Sequence, residues 1–375
     1  MPISIQPFED RHREAVAAFN RRLAAAGSTW QFPESPVPGW LARVEGSATL
    51  QEFFVVADER AVRGGYALQH RGAAFRGEEV PLANWYLPIS EGFVDPRFAT
   101  VAPSMLRDVM RRHPESFCLG MNGMDSRLAQ LAARFGFEPR VLPFFVRIEN
   151  GGRFAREARY VRKRAVVAWL LDVMAATRFA GFAARFARIA LSRAPRLDGI
   201  ELESVEEFGP WADELWKRVR ARYSFVETRD AATLNRVYPP GRARVERLRL
   251  VRDGATLGWA VLQSARMSGN PNFGNLHVGR ITDCFAAPED AGAVIRAASD
   301  VLARARVDVM ISNQSHPAWC AALLANAFFR APSNFVFAPS PELGKKIRAI
   351  DPEGRALHLN RGDGDGPWGY DPRSF

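Results

Sequence analysis

Side chains able to donate or accept protons are spread along this chain of 375 residues without forming a recognised catalytic motif. No Ser-His-Asp order, HExxH sequence or Walker loop is present,. Glu91 is the first candidate for a catalytic residue, because it ends a predicted strand that leads into a turn and a helix. Tyr86, on the same strand, is the second. Other polar residues near predicted strand ends, each more often an ordinary turn or surface residue, are Asp95, His277, Asp283 and His316.

The elements that must position these residues are predicted over residues 94–139. A strand end and a tight turn over residues 94–102 lead into an amphipathic helix that ends near His113,. A second strand follows over residues 117–121, and a second helix stops at Gly136, a residue type common just beyond helix ends,. A turn at a helix start presents free backbone N–H groups and the positive end of the helix dipole, so it favours phosphate.

This order of elements resembles the cofactor-binding half of the GNAT acyltransferases, in which acetyl-CoA lies between two splayed parallel strands. The resemblance implies acetyl-CoA or another acyl-CoA as co-substrate. It places the CoA contacts on six residues: Val94, Arg97, Thr100, Val101, Ala102 and Asn122. Where the family's turn has Arg or Gln and then glycines, this chain keeps only small side chains. The family's proton-donating tyrosine falls here on Ala132, and on Leu324 in the second half of the chain.

The second half of the chain repeats the pattern of the first. The spacing from Gly65 to Gly136 matches that from Gly258 to Phe328 within one residue, which indicates duplication of one fold,. We therefore predict an α/β protein with α+β mixed sheets, built as two GNAT-like units in tandem. Their predicted ranges are residues 1–150 and 199–375, joined by a basic helical linker over residues 151–198. Residues 229–238 are similar to a segment of the FemAB-like group of tandem GNAT proteins.

The net charge of +10 is concentrated in residues 153–196, where the pattern is helical and rich in arginine. Such a segment could contact tRNA or an anionic membrane surface, or could simply join the two units with its arginines in solvent. We expect no contact with DNA. No secretory signal is apparent, and the most apolar stretch, residues 165–171, falls far short of the roughly 20 residues of a membrane span,. The predicted location is the cytoplasm, with a peripheral membrane contact as an option.

Neither the cysteines nor the acidic end of the chain predicts a metal site. Cys118, Cys284 and Cys320 are far apart and form no CxxC pair,. Asp363 and Asp365 superficially resemble a metal loop, but further oxygen ligands are missing, so a flexible turn is predicted there,.

Three hypotheses of function follow from these patterns. The leading one is a transferase of GNAT type that moves an acyl group from acyl-CoA to an amine of a small molecule, a sugar or a cell-envelope precursor. The second is FemAB-like aminoacyl transfer from charged tRNA. The third is a catalytically degenerate tandem GNAT protein that serves as a binding or scaffold module, as the alanine at position 132 would allow.

Overall fold

Two mixed sheets form the framework of the chain in the computed structural model, which describes residues 3–36, 41–157 and 195–368. The first unit comprises Met1–Ala74, Glu78–Val141 and Asn334–Glu353, and the second comprises Phe75–Gly77, Leu142–Ser333 and Gly354–Phe375. The predicted fold class, mixed α/β sheets in two units, is confirmed.

In the described residues, the first unit combines strands from distant parts of the chain with four α-helices. Its strands are β1 (Ser4–Pro7), β2 (Leu50–Ala57), β3 (Val62–Phe75), β4 (Glu78–Ser90), β5 (Ser116–Leu119), β6 (Arg140–Val141) and β15 (Val336–Pro339). Its helices are α1 (Arg13–Ala25), α2 (Val101–Arg112), α3 (Arg127–Arg134) and α9 (Pro341–Ile350).

Side-chain alternation explains why helices cover both faces of this sheet. Successive residues of a strand point to opposite faces, and Phe53 and Phe54 accordingly belong to different apolar clusters. The cluster of Phe53 contains one face of α1, including Val16 and Phe19. The cluster of Phe54 contains the buried faces of α2 and α3. The predicted first helix is confirmed, and it ends before Gly27, whose φ of +82° suits glycine,.

The second unit contains the remaining elements. Its strands are β7 (Phe144–Ile148), β8 (Ile200–Val205), β9 (Phe225–Glu227), β10 (Val245–Arg252), β11 (Ala255–Arg266), β12 (His277–Ala286), β13 (Val309–Asn313), β14 (Phe329–Ala331) and β16 (Leu357–His358). Its helices are α4 (Gly151–Glu157), α5 (Pro210–Val219), α6 (Ala231–Val237), α7 (Ala291–Arg304) and α8 (Pro317–Ala325).

The two sheets share one order of seven strands, and β9 and β16 extend the first sheet outside this order. The order is β1-β2-β3-β4-β5-β15-β6 in the first and β8-β10-β11-β12-β13-β7-β14 in the second. The sixth strand of each sheet therefore comes from the other half of the sequence. The strand predicted over residues 142–148 forms, but its hydrogen bonds go to β13 and β14 rather than to the first sheet. The predicted boundaries at residues 150 and 198 remain a prediction.

The repeat is confirmed with one correction of register. A Cβ at Gly258 would meet the side chain of Val294 at the start of α7. In the first unit the glycine in this position is Gly64, where a Cβ would meet Val101 at the start of α2. Gly65, which the sequence had paired with Gly258, instead lies against the ring of Phe32.

Most of the basic segment predicted over residues 153–196 lies outside the described residues, which resume at Pro195. Its predicted contact with tRNA or membrane therefore has no structural description. Among the described residues, no helix is both long enough and apolar enough to cross a bilayer.

Candidate active site

Two neighbouring parallel strands of the first unit separate soon after they meet. The strands β4 and β5 pair at two positions, Ala83 with Ser116 and Asn84 with Phe117. Beyond these pairs, β4 continues to Ser90 and β5 to Leu119. Among the described strands of the first unit, none lies between β4 and β5. We call this space the first strand gap; it opens toward the carboxyl ends of the strands, where open α/β sheets bind ligands.

A bulge in β4 lies beside the first strand gap. Leu87 has φ of +50°, an uncommon value for a residue with a side chain,. Tyr86 and Leu87 both pack against the same apolar cluster, although successive strand residues normally face opposite ways,. Trp85 and Ile89 lie in different clusters, although residues four apart normally share a face. One extra residue thus enters β4 here, and a bulge leaves backbone groups outside the hydrogen-bonded ladder.

The start of α2 follows the end of β4 closely. Thr100, immediately before the helix, makes no side-chain capping hydrogen bond. Val101 and Ala102 are buried against the sheet, and the bare backbone of Gly64 permits this approach. The first N–H groups of an α-helix have no partner within the helix, and the helix dipole is positive there. Because Pro103 has no N–H, Val101 and Ala102 provide these groups in the first turn of α2,. The arrangement suits an anion beside Thr100.

Glu91 is engaged in ion pairs at the end of β4. Its side chain is 7% exposed, and its carboxylate accepts hydrogen bonds from Arg22 Nε at 2.9 Å and from Arg63 Nη1 at 3.1 Å. Arg63 also donates to Asp58 at 2.7 Å. Burial alone would raise the pKa of Asp58, but hydrogen bonds from Arg63 and two backbone N–H groups lower it to about 2. Glu91 thereby connects α1 and β3 to the end of β4. A catalytic role for Glu91 stays a prediction.

The remaining predicted residues near β4 lie on that strand or in the turn that follows it. Tyr86 and Val94 are partly buried in the cluster that contains Phe32. The Arg97 side chain is 82% exposed and pairs with Asp95 at 2.6 Å; its hydrogen bond lowers the pKa of that carboxyl. Nothing in the structure assigns these residues a ligand, so their binding roles stay predictions.

Asn122 lies across the gap, beyond the end of β5. It is exposed, has φ of +59°, and accepts a hydrogen bond from Asn334 Nδ2 at 3.0 Å. A further link between the two sides was not foreseen from sequence: Arg127, the first residue of α3, donates to the carbonyl of Phe93 at 3.1 Å. Phe93 and Met124, both partly exposed, follow the two separating strands. The predicted binding residues thus follow the ends of β4 and β5, and their binding roles stay predictions.

No tyrosine replaces the missing proton donor at its usual place. Ala132 is fully buried in α3, and the corresponding Leu324 is exposed on α8. Tyr66 lies in the core of the first unit and donates to Asp108. Burial, and then the negative charge of Asp108, raises the pKa of Tyr66, so this phenol stays protonated.

The polar candidates of the second unit are bonded to other groups of the protein. His277 contacts the carbonyl of Arg306 at 3.2 Å, and burial lowers its pKa. His316 accepts the N–H of Ala318 and caps α8. Asp283 is buried beside Arg229 at 3.1 Å. Within the described ranges, no cluster of three His, Cys, Asp or Glu side chains could hold a metal ion.

No family model and no curated protein matches this chain. Solved structures do match. A conserved protein from Enterococcus faecalis, described as a probable N-acyltransferase, is similar with a TM-score of 0.53 and 10% identity, over 93% of this chain and 75% of that one. A GCN5-related N-acetyltransferase from Anabaena variabilis has a TM-score of 0.53 at 11% identity, over 91% and 73%.

An N-myristoyltransferase from Saccharomyces cerevisiae, solved with bound myristoyl-CoA, has a TM-score of 0.51 at 11% identity, over 91% of this chain and 84% of that one. At such identities the likeness shows the fold alone. The chain has the fold of the GNAT acyltransferases, as its order of elements predicted.

Proposed function

We propose that the first unit binds an acyl-CoA in the first strand gap and transfers its acyl group to an amine. The observation that carries this proposal is the early separation of β4 and β5 directly beside a bulge and an uncapped helix start. An acyl-CoA has an anionic pyrophosphate at one end and an extended pantetheine arm that ends in a thioester. The gap offers an anion site and an opening between strands in the matching order.

The chemistry would rest on position and on backbone dipoles. A thioester carbonyl develops negative charge when an amine attacks it, and an N–H group fixed beside it stabilises that charge. The bulge at Leu87 can supply such an N–H group, since its residues depart from the regular ladder,. Holding the two reactants together contributes further, by lowering the entropic cost of their encounter.

Proton transfer is the step for which the chain offers fewest groups. Ala132 stands in place of the usual donor. Tyr86 is the tyrosine of β4, and it remains our candidate to protonate the leaving thiolate. Glu91 remains the candidate base for the attacking ammonium, although Arg22 and Arg63 already occupy its carboxylate. The alanine at position 132 and the ion pairs of Glu91 also favour a second candidate function, the degenerate binding or scaffold module.

The identities of the acyl donor and of the acceptor are more specific proposals. Two of the similar structures belong to an N-acetyltransferase and to an N-myristoyltransferase with bound myristoyl-CoA, which supports testing both short and long acyl groups. The acceptor we propose is an amine of a small molecule, a sugar or a cell-envelope precursor. Aminoacyl transfer from tRNA, as in the FemAB-like group, stays an alternative that depends on the basic segment over residues 153–196.

A charge substitution at Thr100 tests donor binding. We expect acetyl-CoA or myristoyl-CoA to bind the wild type in calorimetry, and Thr100→Asp to weaken that binding roughly threefold to tenfold by placing a negative charge at the helix start. Thr100→Asn has the same size without the charge and should bind like the wild type. Equal affinities of the two variants, or no binding of either acyl-CoA at millimolar concentration, would contradict the proposal.

Transfer itself can be followed by the release of free CoA thiol. The protein's own thiols should contribute little background: burial raises the pKa of Cys118 to about 12 and that of Cys320 to about 11, and Cys284 is buried. Thiol release that requires an added amine identifies the acceptor class. Binding without release for any amine, sugar or precursor tested would support the scaffold alternative.

A further inference from the structure

The second unit repeats the separating strands of the first. The strands β12 and β13 run parallel, and their last pair joins Ile281 with Ser312. The register of β12 against β11 shifts between Val261 and Leu262, which leaves Thr282 as the extra residue of a bulge,. Beyond Ile281 the strands diverge, and we call the space between them the second strand gap.

Residues 357–366, which we call the tail segment, lie in the second strand gap. On the side of β13, Ser315 donates to the carbonyl of Leu359 at 3.0 Å, and Leu359 N–H donates to Ser315 Oγ at 2.8 Å. The next residue, Asn360, forms a β-bridge with Gln314. On the side of β12, Nε2 of His358 donates to the carbonyl of Cys284 at 2.9 Å. The tail segment is thus bonded to both walls of the gap.

A buried ion cluster holds the far end of the tail segment. Arg229 is 1% exposed, and its Nη2 lies 2.7 Å from Asp363 and 3.1 Å from Asp283. Asn360 Nδ2 donates to Asp283 at 2.9 Å. A Cβ at Gly362 would lie 2.5 Å from the carboxyl carbon of Asp283, so glycine is required there. The flexible turn predicted around Asp363 is therefore wrong: withdrawing Asp363 would leave Arg229 short of charge compensation, which is strongly unfavourable in a buried site.

Aromatic stacking fixes the near end of the tail segment. The ring of His358 stacks on Tyr223 at 4.7 Å and on Trp319 at 5.3 Å. The Tyr223 hydroxyl donates to the carbonyl of Ala286 and accepts from Trp319 Nε1. Burial lowers the pKa of His358, so this imidazole is neutral and suited to the apolar stack.

The start of α7 also differs from that of α2. Its preceding turn holds Glu289 and Asp290, two carboxylates where the first unit has Thr100. Carboxylates at a helix start satisfy the helix dipole themselves and repel a pyrophosphate. In the second unit the strand gap is therefore filled by the tail segment, and the helix start carries two carboxylates that disfavour a phosphate,.

We propose that the tail segment is a permanent internal occupant of the second strand gap, so that the second unit takes no acyl-CoA and each chain has a single donor site. The part of this inference that concerns acyl-CoA rests on the proposed function. The seating of the tail segment does not. The second strand gap is then a groove that binds an extended peptide, and that peptide is part of the protein's own chain. The groove recognises it through Gly362 and the carboxylate of Asp363.

Hydrogen–deuterium exchange on the full-length chain tests the seating without any ligand. We expect the amides of residues 357–363 to exchange at least about a hundredfold more slowly than in an unstructured peptide. Asp363→Asn should speed that exchange at least about tenfold, because it removes one charge from the buried cluster. Asp365→Asn is the matched control, since Asp365 pairs with Arg361 rather than with Arg229, and it should leave residues 357–363 protected. Unprotected amides in the wild type would overturn the proposal.

Titration with acetyl-CoA and myristoyl-CoA tests the single donor site. We expect one acyl-CoA per chain, and no change in the exchange of residues 357–363 at saturation. Two bound molecules per chain, or faster exchange of the tail segment on binding, would overturn the proposal, because the ligand would then be displacing the tail segment. Should neither ligand bind at all, the proposed function fails, while the exchange experiment still decides whether the tail segment is seated.

Discussion

The contact between Gly64 and the start of α2 gives the most direct test of the donor site. In Gly64→Ala the new Cβ would lie 2.8 Å from the carbonyl oxygen of Ile89 and 2.8 Å from Val101 Cγ1. Restoring ordinary contact distances requires a displacement of about 0.6–1 Å. Movement of α2 relieves only the contact with Val101, so Ile89 in β4 and the first turn of α2 must both shift. The N–H groups that we assign to the pyrophosphate would move with that turn.

The magnitude follows from two opposing effects. Overpacking a buried contact costs about 1–3 kcal/mol, whereas replacing glycine by alanine restricts the unfolded chain and recovers about 0.4–1 kcal/mol. We therefore expect Gly64→Ala to lower the free energy of unfolding by roughly 1.3 kcal/mol, within a range of about 0–2.6 kcal/mol, measured by urea denaturation. We also expect its acyl-CoA affinity, measured by calorimetry, to fall at least about threefold, since displaced N–H groups fit the phosphates less well.

The repeat provides a matched control in Gly258→Ala. There the Cβ would lie 2.6 Å from Ala286 Cβ and 2.7 Å from Val294 Cγ2, so the loss of stability should be similar. Acyl-CoA affinity should be unchanged, because the contact lies in the second unit. If Gly64→Ala destabilises the protein but binds acyl-CoA as the wild type does, the first turn of α2 is not the donor site. If both glycine variants weaken binding equally, the assignment to the first unit fails.

Two further substitutions address the charges of the first unit. Glu91→Gln should lower the free energy of unfolding by about 1–3 kcal/mol, because Arg22 and Arg63 lose a charged partner,. As the proposed base, Glu91 should also be needed for the reaction, so acyl transfer by the folded variant should slow at least about a hundredfold; an unchanged rate would contradict the role of base. A hydrogen bond from His70 lowers the pKa of Glu52 from 4.5 to about 2, against the opposing effect of burial. Since the lowered folded-state pKa adds stability above the unfolded pKa, the stability difference between wild type and Glu52→Gln should be fully present near pH 5 and shrink as the pH falls from about 4.5 to 2,; a difference that does not change over this range would contradict this.

Local patterns in the sequence were sufficient to predict the elements around the first strand gap. Apolar spacing predicted α1 and α2, and Gly27 and Gly136, with φ of +82° and +81°, mark the ends of two helices. Each of these features depends on residues a few positions apart. They are therefore encoded locally and can be read without knowing the tertiary structure.

The partners of the candidate site residues could not be predicted in the same way. Glu91 meets Arg22 and Arg63, which lie far away in the sequence on two other elements, and no local pattern selects them. Leu87 carries a positive φ that leucine does not favour, so its bulge is imposed by the surrounding packing,. Asp363 looked solvated in a run of glycines, and only the folded chain brings it to Arg229.

The exchange of sixth strands has a consequence for how this protein is made. The edge of β5 pairs with β15, whose residues Val336–Pro339 are synthesised more than 200 residues after β5 ends at Leu119. At typical rates of translation, roughly 10–40 s separate the emergence of the two strands. During that interval the nascent first sheet presents an open edge, which other chains could pair with. The first sheet therefore cannot be completed until β15 has been synthesised, and a fragment that ends near residue 150 would keep that edge unpaired.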